Sequence, residues 1–468
     1  MNTDFTGKKI LIMGLGLHGG GVGAARFFAK RGASLVITDL RTKVQLESSI
    51  TKLKEFSKIT YVLGEHRKSD FLQADLIVKN PGVPPVSPYI KLAQDRGIPV
   101  TTDLGIFLRQ CPAQIIGVTG TRGKSTTCFL MFRFLERYFK KNKKDSRKRV
   151  FLGGNIRRSV LEFMDDVRSH DVVILELSSF QLDDILRDSW KDEAHLRKSP
   201  HIAVITNILR DHLNWHGSMQ SYISAKSVIF KYQDKEDILF ANGSDPVVRR
   251  IATRAPGRVE FPKLPANLKA TVDKNLGSHY ETSVALAVGI AKHFRVSPDI
   301  IRSTLTRFYG LPGRQELVGR IRGISFINDT TATIPDASIA AIKRFRKEAK
   351  KSRLILIAGG SDKKLKFSDM ARAIAAYVDS LVLLPGTATD ALLRIVKKKK
   401  AKKYVAIQMA ASMDEAVNMA AYGAKKGDYI LLSPGAASFG LFANEFDRGD
   451  KFVAALSAVK SRLARLPE

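Results

Sequence analysis

The sequence predicts an α/β protein with three domains in succession, each built on a parallel sheet covered by helices. Short apolar strands alternate with helical segments along the chain of 468 residues, which is the rhythm of βαβ units. Many of the strands end in glycine, proline or a polar residue, and ligands of open α/β sheets gather at such carboxyl ends. The length suits about two to four domains, and we predict domains at residues 1–110, 111–312 and 313–468.

The first domain begins with the strand KKILIM, which enters the glycine-rich turn GLGLHG. A helix, VGAARFFAKRG, follows and ends at Gly32; the next strands are SLVITDLR and ADLIVKNPGV. Gly14, Gly16 and Gly19 have the G-x-G-x-x-G spacing of a dinucleotide-binding turn, with Asp39 20 positions beyond Gly19. The same turn also suits another nucleotide phosphate or a tight strand–helix corner, so NAD binding is one of several interpretations of the glycine spacing.

The second domain begins with the strand IIGVTG and the loop TGTRGKST, followed by the helix TTCFLMFRFLERYF. Gly120 and Gly123 would let backbone N–H groups approach a phosphate, and Lys124 would neutralise its charge. Ser125 or Thr126 could hold Mg²⁺. The usual G-x-x-x-x-G-K-[ST] spacing requires glycine at position 118, where this chain has Val118. The pattern therefore predicts a variant phosphate loop, with a structural turn and an exposed lysine as the alternative.

Polar residues at later strand ends in this domain are candidates for the same site. Glu176 ends the strand in DVVILELSS; Asn207 ends the strand in HIAVITNI and is followed shortly by His212. Lys226 lies in the helical segment YISAKS. Taken singly, each has an ordinary structural explanation: an ion pair or cap, a structural histidine, and a solvated lysine. The third domain begins near GLPGR and contains the strands ISFIND, RLILIAGG, SLVLLPG and DYILLSPG.

Composition favours a globular cytoplasmic protein. Hydrophobic residues make up 44% and charged residues 26%, with no run long enough to span a membrane and no signal-peptide pattern. Two cysteines indicate neither a disulfide framework nor a cysteine metal site. The formal net charge of +32 raises nucleic acid as a partner. Much of the excess lies in KKNKKDSRKR and KKKKAKK. We interpret these runs as solvated surface and keep nucleic-acid binding as the minor alternative.

Taken together, these segments resemble the Mur ligase family, ATP-dependent enzymes that form amide bonds in bacterial cell-wall precursors. LELSSFQL, TNILRDHLNWHGS and SYISAKSVIF follow TGTRGKST in the family's order and approximate spacing. GLGLHG, NPGV, LGGN, LPGRQE, NDTTAT and SPGAAS extend the resemblance over essentially the whole chain and point to the branch that adds D-glutamate to UDP-N-acetylmuramoyl-L-alanine. The resemblance implies a Rossmann-like N-terminal domain, a central P-loop mononucleotide-binding domain and a Rossmann-like C-terminal domain.

The resemblance also implies a mechanism and its residues. ATP phosphorylates the carboxylate of the nucleotide substrate, and the amine of glutamate then displaces phosphate. Lys124 is implied to bind the γ-phosphate, and Ser125 and Glu176 to hold one Mg²⁺. His212 is implied to hold a second Mg²⁺ with a carbamylated Lys226. The remaining implied ATP contacts are Gly120, Thr121, Gly123, Thr126, His279, Arg314 and Asp329.

The two other substrates are implied to bind in the outer domains. The first domain would bind the uridine nucleotide rather than NAD, and the implied contacts for that substrate are Leu17, His18, Asp39, Arg41, Gly82 and Asn155. The third domain would bind glutamate through Thr333, Lys363 and Ser438, with Phe446 as a cover. UDP-N-acetylmuramoyl-L-alanine and glutamate are thus the expected partners. We expect a monomer and no membrane association.

Two departures from the family pattern leave details open. GSHYETS has Tyr280 and Ser283 in place of two asparagines, which leaves the adenine and ribose contacts undecided. NDTTAT has Thr331 where many relatives have lysine, which leaves the choice between D- and L-glutamate undecided. The alternatives are another amino-acid-adding Mur ligase, an L-glutamate variant or folylpolyglutamate synthase. From other classes they are an NAD-dependent oxidoreductase and a nucleic-acid-binding P-loop ATPase.

Overall fold

A computed structural model describes residues 4–17, 19–84, 86–142, 145–156, 159–190, 199–363, 365–398 and 405–464. They form two compact units. The first comprises residues 1–208, 220–270 and 280–306, and the second comprises residues 209–219, 271–279 and 307–468. The first unit contains two sheets and the second contains one, so the prediction of three α/β sheets is confirmed. The domain boundaries at residues 110 and 312 stay a prediction.

The first sheet has five parallel strands in the order β3-β2-β1-β4-β5, the order of a Rossmann-like sheet. Its strands are β1 (Lys9–Met13), β2 (Ser34–Asp39), β3 (Ile59–Leu63), β4 (Leu76–Lys79) and β5 (Val100–Thr101). Its helices are α1 (Gly20–Ala29), α2 (Lys43–Ile50), α3 (Lys68–Leu72), α4 (Pro88–Asp95) and α5 (Asp103–Gln110). β2 and β4 lie on opposite sides of β1, so the direction of the strand order changes at β1. The crevice for a ligand therefore opens at the carboxyl end of β1.

The second sheet has six parallel strands in the order β11-β10-β9-β6-β8-β7. Its strands are β6 (Gln114–Thr119), β7 (Val150–Gly154), β8 (Val172–Glu176), β9 (Ile202–Ile205), β10 (Ile238–Ala241) and β11 (Arg258–Glu260). The helices in this part of the sequence are α6 (Lys124–Lys141), α7 (Ser179–Arg187), α8 (Leu213–His216), α9 (Met219–Lys231), α10 (Pro246–Ala252), α11 (Ala266–Asn275), α12 (Glu281–His293) and α13 (Pro298–Thr306). The central strand β6 lies between β8 and β9, so the ends of these three strands meet.

The third sheet has the order β12-β13-β17-β14-β15-β16, and only its β12–β13 pair is antiparallel. Its strands are β12 (Glu316–Ile321), β13 (Ile324–Asn328), β14 (Leu354–Gly359), β15 (Ser380–Leu384), β16 (Ala406–Met409) and β17 (Tyr429–Leu432). Its helices are α14 (Pro335–Ala349), α15 (Ser368–Tyr377), α16 (Thr387–Lys398), α17 (Met413–Ala421) and α18 (Glu445–Ala464).

Side chains of β14 show why the apolar strands of the third sheet are buried on both faces. Leu354 and Leu356 belong to the core formed with α14, α15 and α16. Ile355 and Ile357, the alternate residues, belong to the core formed with α17 and α18. Successive side chains of a strand point to opposite faces. A continuous apolar run is therefore what a parallel strand between two helical layers requires.

Two buried ion pairs join elements of the two sheets within the first unit. Lys79 at the end of β4 lies 2.9 Å from Asp184 on α7, and Arg109 on α5 lies 2.8 Å from Asp188, which follows α7. All four side chains are at most 6% exposed. Breaking one partner of such a pair leaves a buried charge without compensation, which is strongly destabilising.

The described parts of the two basic runs are solvent-exposed helix ends and turns. Lys140 lies in the last turn of α6 and pairs with Glu136 at 3.0 Å; Lys397 and Lys398 end α16. Cations are favourable at a helix C-terminus because the last carbonyls carry partial negative charge. Residues 143–144 and 399–403 of these runs lie outside the described residues. Within the described chain, no helix is long and apolar enough to cross a membrane.

Candidate active site

The loop between β6 and α6 has the backbone of an anion-binding turn. Residues 120–123 connect the strand to the helix, and Gly123 precedes the helix with φ 82° and ψ −8°. Asn207, after β9, accepts the Thr121 N–H at its carbonyl (2.8 Å) and the Arg122 N–H at its Oδ1 (2.9 Å). Thr206 Oγ1 donates to the Arg122 carbonyl at 2.5 Å. The neighbouring strand therefore holds the loop in front of the N-terminus of an 18-residue helix, where a phosphate is favourable.

The position of Val118 explains the departure from the usual loop spacing. Val118 is fully buried in β6, pairs with Glu176 of β8 and accepts the Leu177 N–H at 2.8 Å. It is part of the sheet, and the turn starts two residues later. Gly120 has φ 145°, and a Cβ there would lie 1.9 Å from Thr206 Oγ1, so a side chain is excluded at that position. The loop is thus shorter than the usual one but has the same strand–loop–helix setting.

Lys124 and Lys226, both predicted catalytic residues, donate to the same loop carbonyl. Lys124 Nζ lies 2.9 Å from the Gly120 oxygen and 3.1 Å from the Thr121 oxygen. Lys226 on α9 is 1% exposed, and its Nζ lies 3.0 Å from the Gly120 oxygen and 3.4 Å from Thr119 Oγ1. Two ammonium groups at one carbonyl repel each other in a partly dry environment. The arrangement concentrates positive charge beneath the phosphate loop.

Glu176 forms the acidic part of this site. It is the last residue of β8, is 3% exposed, and accepts a hydrogen bond from Ser125 Oγ at 2.5 Å. Asn155 Nδ2 donates to the other carboxylate oxygen at 3.0 Å, and the Asn155 N–H donates to the Glu176 carbonyl at 2.8 Å. The structure thus brings together Ser125 and Glu176, predicted as Mg²⁺ ligands, with Asn155, predicted as a substrate contact. Hydroxyl and carboxylate oxygens are suitable Mg²⁺ ligands.

His212 belongs to the second unit and has a strained backbone. Its φ of 52° is left-handed, and it precedes the short helix α8. Its N–H donates to Asp211 Oδ1 at 2.9 Å, and its Nε2 lies 3.5 Å from Asp211 Oδ2. Asp211 also pairs with Lys363 at 3.4 Å, which links the predicted metal ligand to a predicted glutamate contact. Sequence reasoning assigned Asp211 no role, although it stood next to His212.

The three loops that carry the predicted glutamate contacts are joined by backbone hydrogen bonds. Ser361, two residues before Lys363, exchanges two such bonds with Ala437, next to Ser438, at 2.9 and 3.0 Å. The Gly435 N–H donates to the carbonyl of Ala332, next to Thr333, at 2.8 Å. Thr333, Lys363 and Ser438 therefore come from neighbouring carboxyl ends of β13, β14 and β17. Phe446, the predicted cover, lies in the first turn of α18.

Arg448 holds two of these loops and was not identified from the sequence. This fully buried side chain donates from Nη2 to the Thr330 carbonyl at 2.7 Å and from Nη1 to the Ala436 carbonyl at 3.1 Å. Burial lowers the pKa of its guanidinium to about 10, and the neighbouring acids Glu445 and Asp329 oppose that shift. The only sequence signal was a single arginine in NEFDRG, on a helix with many charged residues.

The predicted uridine-nucleotide contacts lie around the crevice at the end of β1. Asp39 is 4% exposed; its Oδ2 accepts the Gly16 N–H at 3.1 Å, and its Oδ1 accepts the Arg41 N–H at 2.9 Å. Leu17 is 45% exposed. On the other side, the Gly82 N–H donates to Asn80 Oδ1 at 3.1 Å. His18 lies outside the described residues.

Thr126 lies buried in the first turn of α6, and the predicted ATP contacts outside this loop and helix belong to the second unit. Asp329 accepts hydrogen bonds from the Gln315 N–H (3.2 Å) and from Ser433 Oγ (2.7 Å). Arg314 Nη1 donates to Thr331 Oγ1 at 3.3 Å, so an arginine reaches the position where many relatives have lysine. His279 is exposed. In the described part of the chain, no three His, Cys, Asp or Glu side chains cluster as a metal site.

Comparison with known proteins identifies the family. Three family models match in order: the MurD-like N-terminal domain of Mur ligases at residues 8–102, the Mur ligase middle domain at 118–286 and the Mur ligase glutamate ligase domain at 313–435. This chain belongs to the Mur ligase family. The resemblance inferred from the sequence motifs is therefore confirmed.

Curated relatives cover almost the whole of this Mur ligase. It is 39% identical to a protein of Roseiflexus sp. (strain RS-1), over 96% of this chain and 98% of the relative. It is 35% identical to one of Borreliella afzelii (strain PKo), over 95% and 96%. Both relatives are named UDP-N-acetylmuramoylalanine--D-glutamate ligase.

Two solved structures confirm the fold. MurF ligase from Thermotoga maritima, in complex with ADP, is 16% identical with a TM-score of 0.55, over 99% of this chain and 97% of that one. A pseudomurein peptide ligase type C from Methanothermus fervidus is 17% identical with a TM-score of 0.55, over 97% and 100%. At this identity the likeness concerns the fold alone.

Proposed function

We propose that this Mur ligase joins D-glutamate to UDP-N-acetylmuramoyl-L-alanine at the expense of ATP, in the synthesis of peptidoglycan precursors. The observation that carries the proposal is the Ser125–Glu176 hydrogen bond beside Lys124 at the phosphate loop. Curated relatives named for this reaction, matched over at least 95% of both chains, support the choice of substrates. The protein works as a monomer in the cytoplasm.

The reaction has to make a poor electrophile reactive. A carboxylate oxygen of the nucleotide substrate attacks the γ-phosphorus of ATP, ADP leaves, and an acyl phosphate results. The amine of glutamate attacks the acyl carbon, inorganic phosphate leaves, and the amine proton is released. Lys124 and the amides of residues 123–126, at the start of α6, bind the negative phosphate oxygens. The chain's contribution is mainly to hold the reactants in line and to balance this charge.

The oxygen donors at the phosphate loop fit Mg²⁺. Ser125 Oγ and a Glu176 oxygen lie 2.5 Å apart, and Asn155 orients the carboxylate by binding its other oxygen. These residues would hold one ion, and His212 with a carbamylated Lys226 would hold a second. Bound Mg²⁺ neutralises phosphate charge during transfer. Carbamylation of Lys226 converts a buried ammonium that shares a carbonyl with Lys124 into an anion, which removes that repulsion.

The substrates are assigned to the loops described above. Leu17, His18, Asp39, Arg41, Gly82 and Asn155 bind the uridine nucleotide and its sugar–peptide end. His279, Arg314 and Asp329 bind ATP together with the phosphate loop. Thr333, Lys363 and Ser438 bind glutamate. Lys363 is 8% exposed and holds its charge near Asp211, and it would attract a substrate carboxylate.

A phosphate-release assay tests the proposal. The protein is incubated with ATP, Mg²⁺ and UDP-N-acetylmuramoyl-L-alanine, and D-glutamate, L-glutamate, lysine or alanine is added separately. We expect phosphate release with D-glutamate and a product heavier by one glutamyl residue in the mass spectrum. Phosphate release with L-glutamate instead would mean that this chain, which has Thr331, uses L-glutamate rather than D-glutamate. No release with any amino acid would reject the ligase activity.

Carbamylation has its own measurement. The protein is equilibrated with ¹³C-bicarbonate, and a carbamate carbon signal is sought by NMR in wild type and in Lys226→Ala. We expect a signal in wild type that the variant lacks. The variant should also lose activity, with partial recovery in acetate. An active wild type without that signal would remove carbamylation from the mechanism and leave the ligase assignment intact.

A further inference from the structure

We infer that Arg344 on α14 is a positioning residue for the nucleotide, because it holds the turn before His279 and the strained residue next to Arg314. The inference rests on the proposed use of ATP. Neither the sequence pattern nor the family assignment marked this residue. It donates to the Leu276 carbonyl and to Gln315 Oε1, and through these two segments it would position the predicted ATP contacts.

The first segment is the end of α11. Arg344 Nη1 donates to the Leu276 carbonyl at 2.7 Å, where the helix has ended and the chain turns toward His279. The Leu276 and Gly277 N–H groups both donate to the Val272 carbonyl, which closes the last turn. Carbonyls beyond a helix end have no partner within the helix and carry partial negative charge. A guanidinium there stabilises the turn both electrostatically and by a charge-assisted hydrogen bond.

Gly277 makes this contact possible. Its φ of 96° is left-handed, and a Cβ there would lie 3.0 Å from the His279 ring and 3.1 Å from Arg344 Cδ. The left-handed backbone therefore favours glycine, and a Cβ would in addition crowd both side chains. The same glycine lets the arginine approach and lets the imidazole fold back on the turn. Arg344, Gly277 and His279 consequently form one packed group.

The second segment is Gln315, which follows Arg314. Its φ of 52° is unfavourable for a residue with a side chain, and it is 7% exposed. Arg344 Nη1 donates to Gln315 Oε1 at 3.1 Å, and the Gln315 N–H donates to Asp329 Oδ1 at 3.2 Å. Strained residues persist where surrounding bonds over-determine them. Removing Arg344 takes away one restraint on Gln315, which follows Arg314 in the chain and binds Asp329; both of these are predicted ATP contacts.

The guanidinium itself is held in orientation. Its Nε lies 2.9 Å from Glu348, one turn later on α14, and its Cζ lies 5.0 Å from the Phe345 ring centroid. The side chain is 18% exposed. Nη1 donates to Leu276 and Gln315 while Nε binds Glu348, so the planar guanidinium holds all three acceptors in a fixed geometry that the single nitrogen of lysine lacks. From one rigid helix, Arg344 thus sets the backbone positions leading to His279, Arg314 and Asp329.

The test compares Arg344→Gln with Arg346→Gln. Arg346 is a matched control because it lies on the same helix, is also 18% exposed, and pairs with Asp379 at 2.8 Å and with the Lys350 carbonyl at 2.7 Å. We measure the Kd for ADP in the presence of Mg²⁺, the KM for each substrate and the thermal midpoint. Arg344→Gln should raise the Kd for ADP and the KM for ATP about tenfold, with the KM for the uridine nucleotide unchanged. Arg346→Gln should lower only the thermal midpoint.

Two further variants keep the inference testable if Arg344→Gln folds poorly. Arg344→Lys should give an intermediate Kd for ADP, and Gly277→Ala should raise it although Arg344 is present. If wild type binds ADP and turns over, but neither Arg344→Gln nor Gly277→Ala changes the Kd for ADP, the positioning role is wrong. If wild type itself neither binds ADP nor releases phosphate, the proposed function fails, which is a separate result.

Discussion

The molecule contains two glycine-rich turns that end in a glycine of the same conformation but face side chains of opposite charge. Residues 14–19 connect β1 to α1, and residues 120–123 connect β6 to α6. Gly19 (φ 90°, ψ −20°) and Gly123 (φ 82°, ψ −8°) precede their helices in the same left-handed conformation, and neither helix has a side-chain cap. Both turns lie at the end of a central strand of a parallel sheet.

The charge that faces each turn differs. At the first turn the buried carboxylate of Asp39 accepts the Gly16 N–H, so the chain itself supplies an anion. At the second turn the Lys124 ammonium donates to the Gly120 carbonyl, and Ser125 Oγ donates to Glu176. A carboxylate at the first turn disfavours a phosphate bound directly on its amides, whereas a lysine at the second favours one. Glycine spacing therefore predicts the turn, and the facing charge predicts the ligand.

The largest expected effect is a loss of stability on breaking the Lys79–Asp184 ion pair, which connects the element next to the first turn with the element next to the second. Lys79 Nζ donates to the Val83 carbonyl at 2.8 Å, near the first turn, and pairs with Asp184 on the helix that follows Glu176. Lys79→Met leaves a buried carboxylate unpaired and should lower the free energy of unfolding by ~3–5 kcal/mol at pH 8. Chemical denaturation measures this loss. The double variant Lys79→Met/Asp184→Leu should recover much of it.

The same pair predicts a pH dependence. Burial raises the pKa of the Asp184 carboxyl to about 7, and the Lys79 ammonium opposes that rise. Because the folded-state pKa exceeds the unfolded value of 3.8, the contribution of this group to stability is complete below about pH 4 and is lost as the pH rises through about 7. Lys79→Met should raise this pKa further. Its deficit in unfolding free energy should therefore be smaller at pH 5 than at pH 8, and an equal deficit at both would contradict the assignment.

The next effect concerns the charge at the second turn. Lys124→Ala removes the ammonium that faces the phosphates and should lower kcat/KM about 10²–10³-fold, which is ~2.7–4 kcal/mol of transition-state stabilisation. Affinity for the uridine nucleotide should stay within about twofold, because the first turn is intact. Steady-state kinetics and calorimetry measure the two quantities. Lys140→Ala, at the exposed end of the same helix, is the control and should match wild type.

The converse change removes the charge at the first turn. Asp39→Asn weakens the hydrogen bonds to Gly16 and Arg41 and should raise the KM for the uridine nucleotide about 10-fold or somewhat more, since bonds to a charged group contribute ~1.5–3 kcal/mol. The KM for ATP should be unchanged. Glu65→Gln, an exposed carboxylate near the same sheet, serves as the control. A shift in both KM values would mean that the turns do not act separately.

The smallest effect tests how the first turn is supported. A Cβ at Gly14 would lie 3.0 Å from the Asn80 side chain, and the Asn80 amide oxygen accepts the Gly82 N–H. Asn80→Ala removes that single bond and should raise the KM for the uridine nucleotide a few-fold, for a loss of ~1 kcal/mol. Substrate titrations at fixed ATP measure it. An unchanged KM for the uridine nucleotide would mean that the conformation of Gly82 does not depend on Asn80.

The fold was largely predictable because its signals are local. Alternation of apolar strands with helices indicated three parallel sheets, and glycines marked the turns after β1 and β6. The roles of Lys124 and Ser125 were predicted from the loop alone, since a phosphate turn is built from consecutive residues, and they stay predictions. The two lysine-rich runs were likewise predicted as solvated loops or helix ends from their composition. Those conclusions needed no knowledge of which strands are neighbours.

Partners far apart in the chain were decided by the tertiary structure. Ser125 bonds Glu176 51 residues away, Lys226 reaches Gly120 across 106 residues, and Lys363 reaches Asp211 across 152. Such contacts depend on strand order, and β6 lies beside β8 and β9 only because the chain reverses direction along the sheet there. Arg448 and Arg344 were invisible in the sequence for the same reason. An arginine on a charged helix is ordinary until packing places it on the carbonyls of a distant loop.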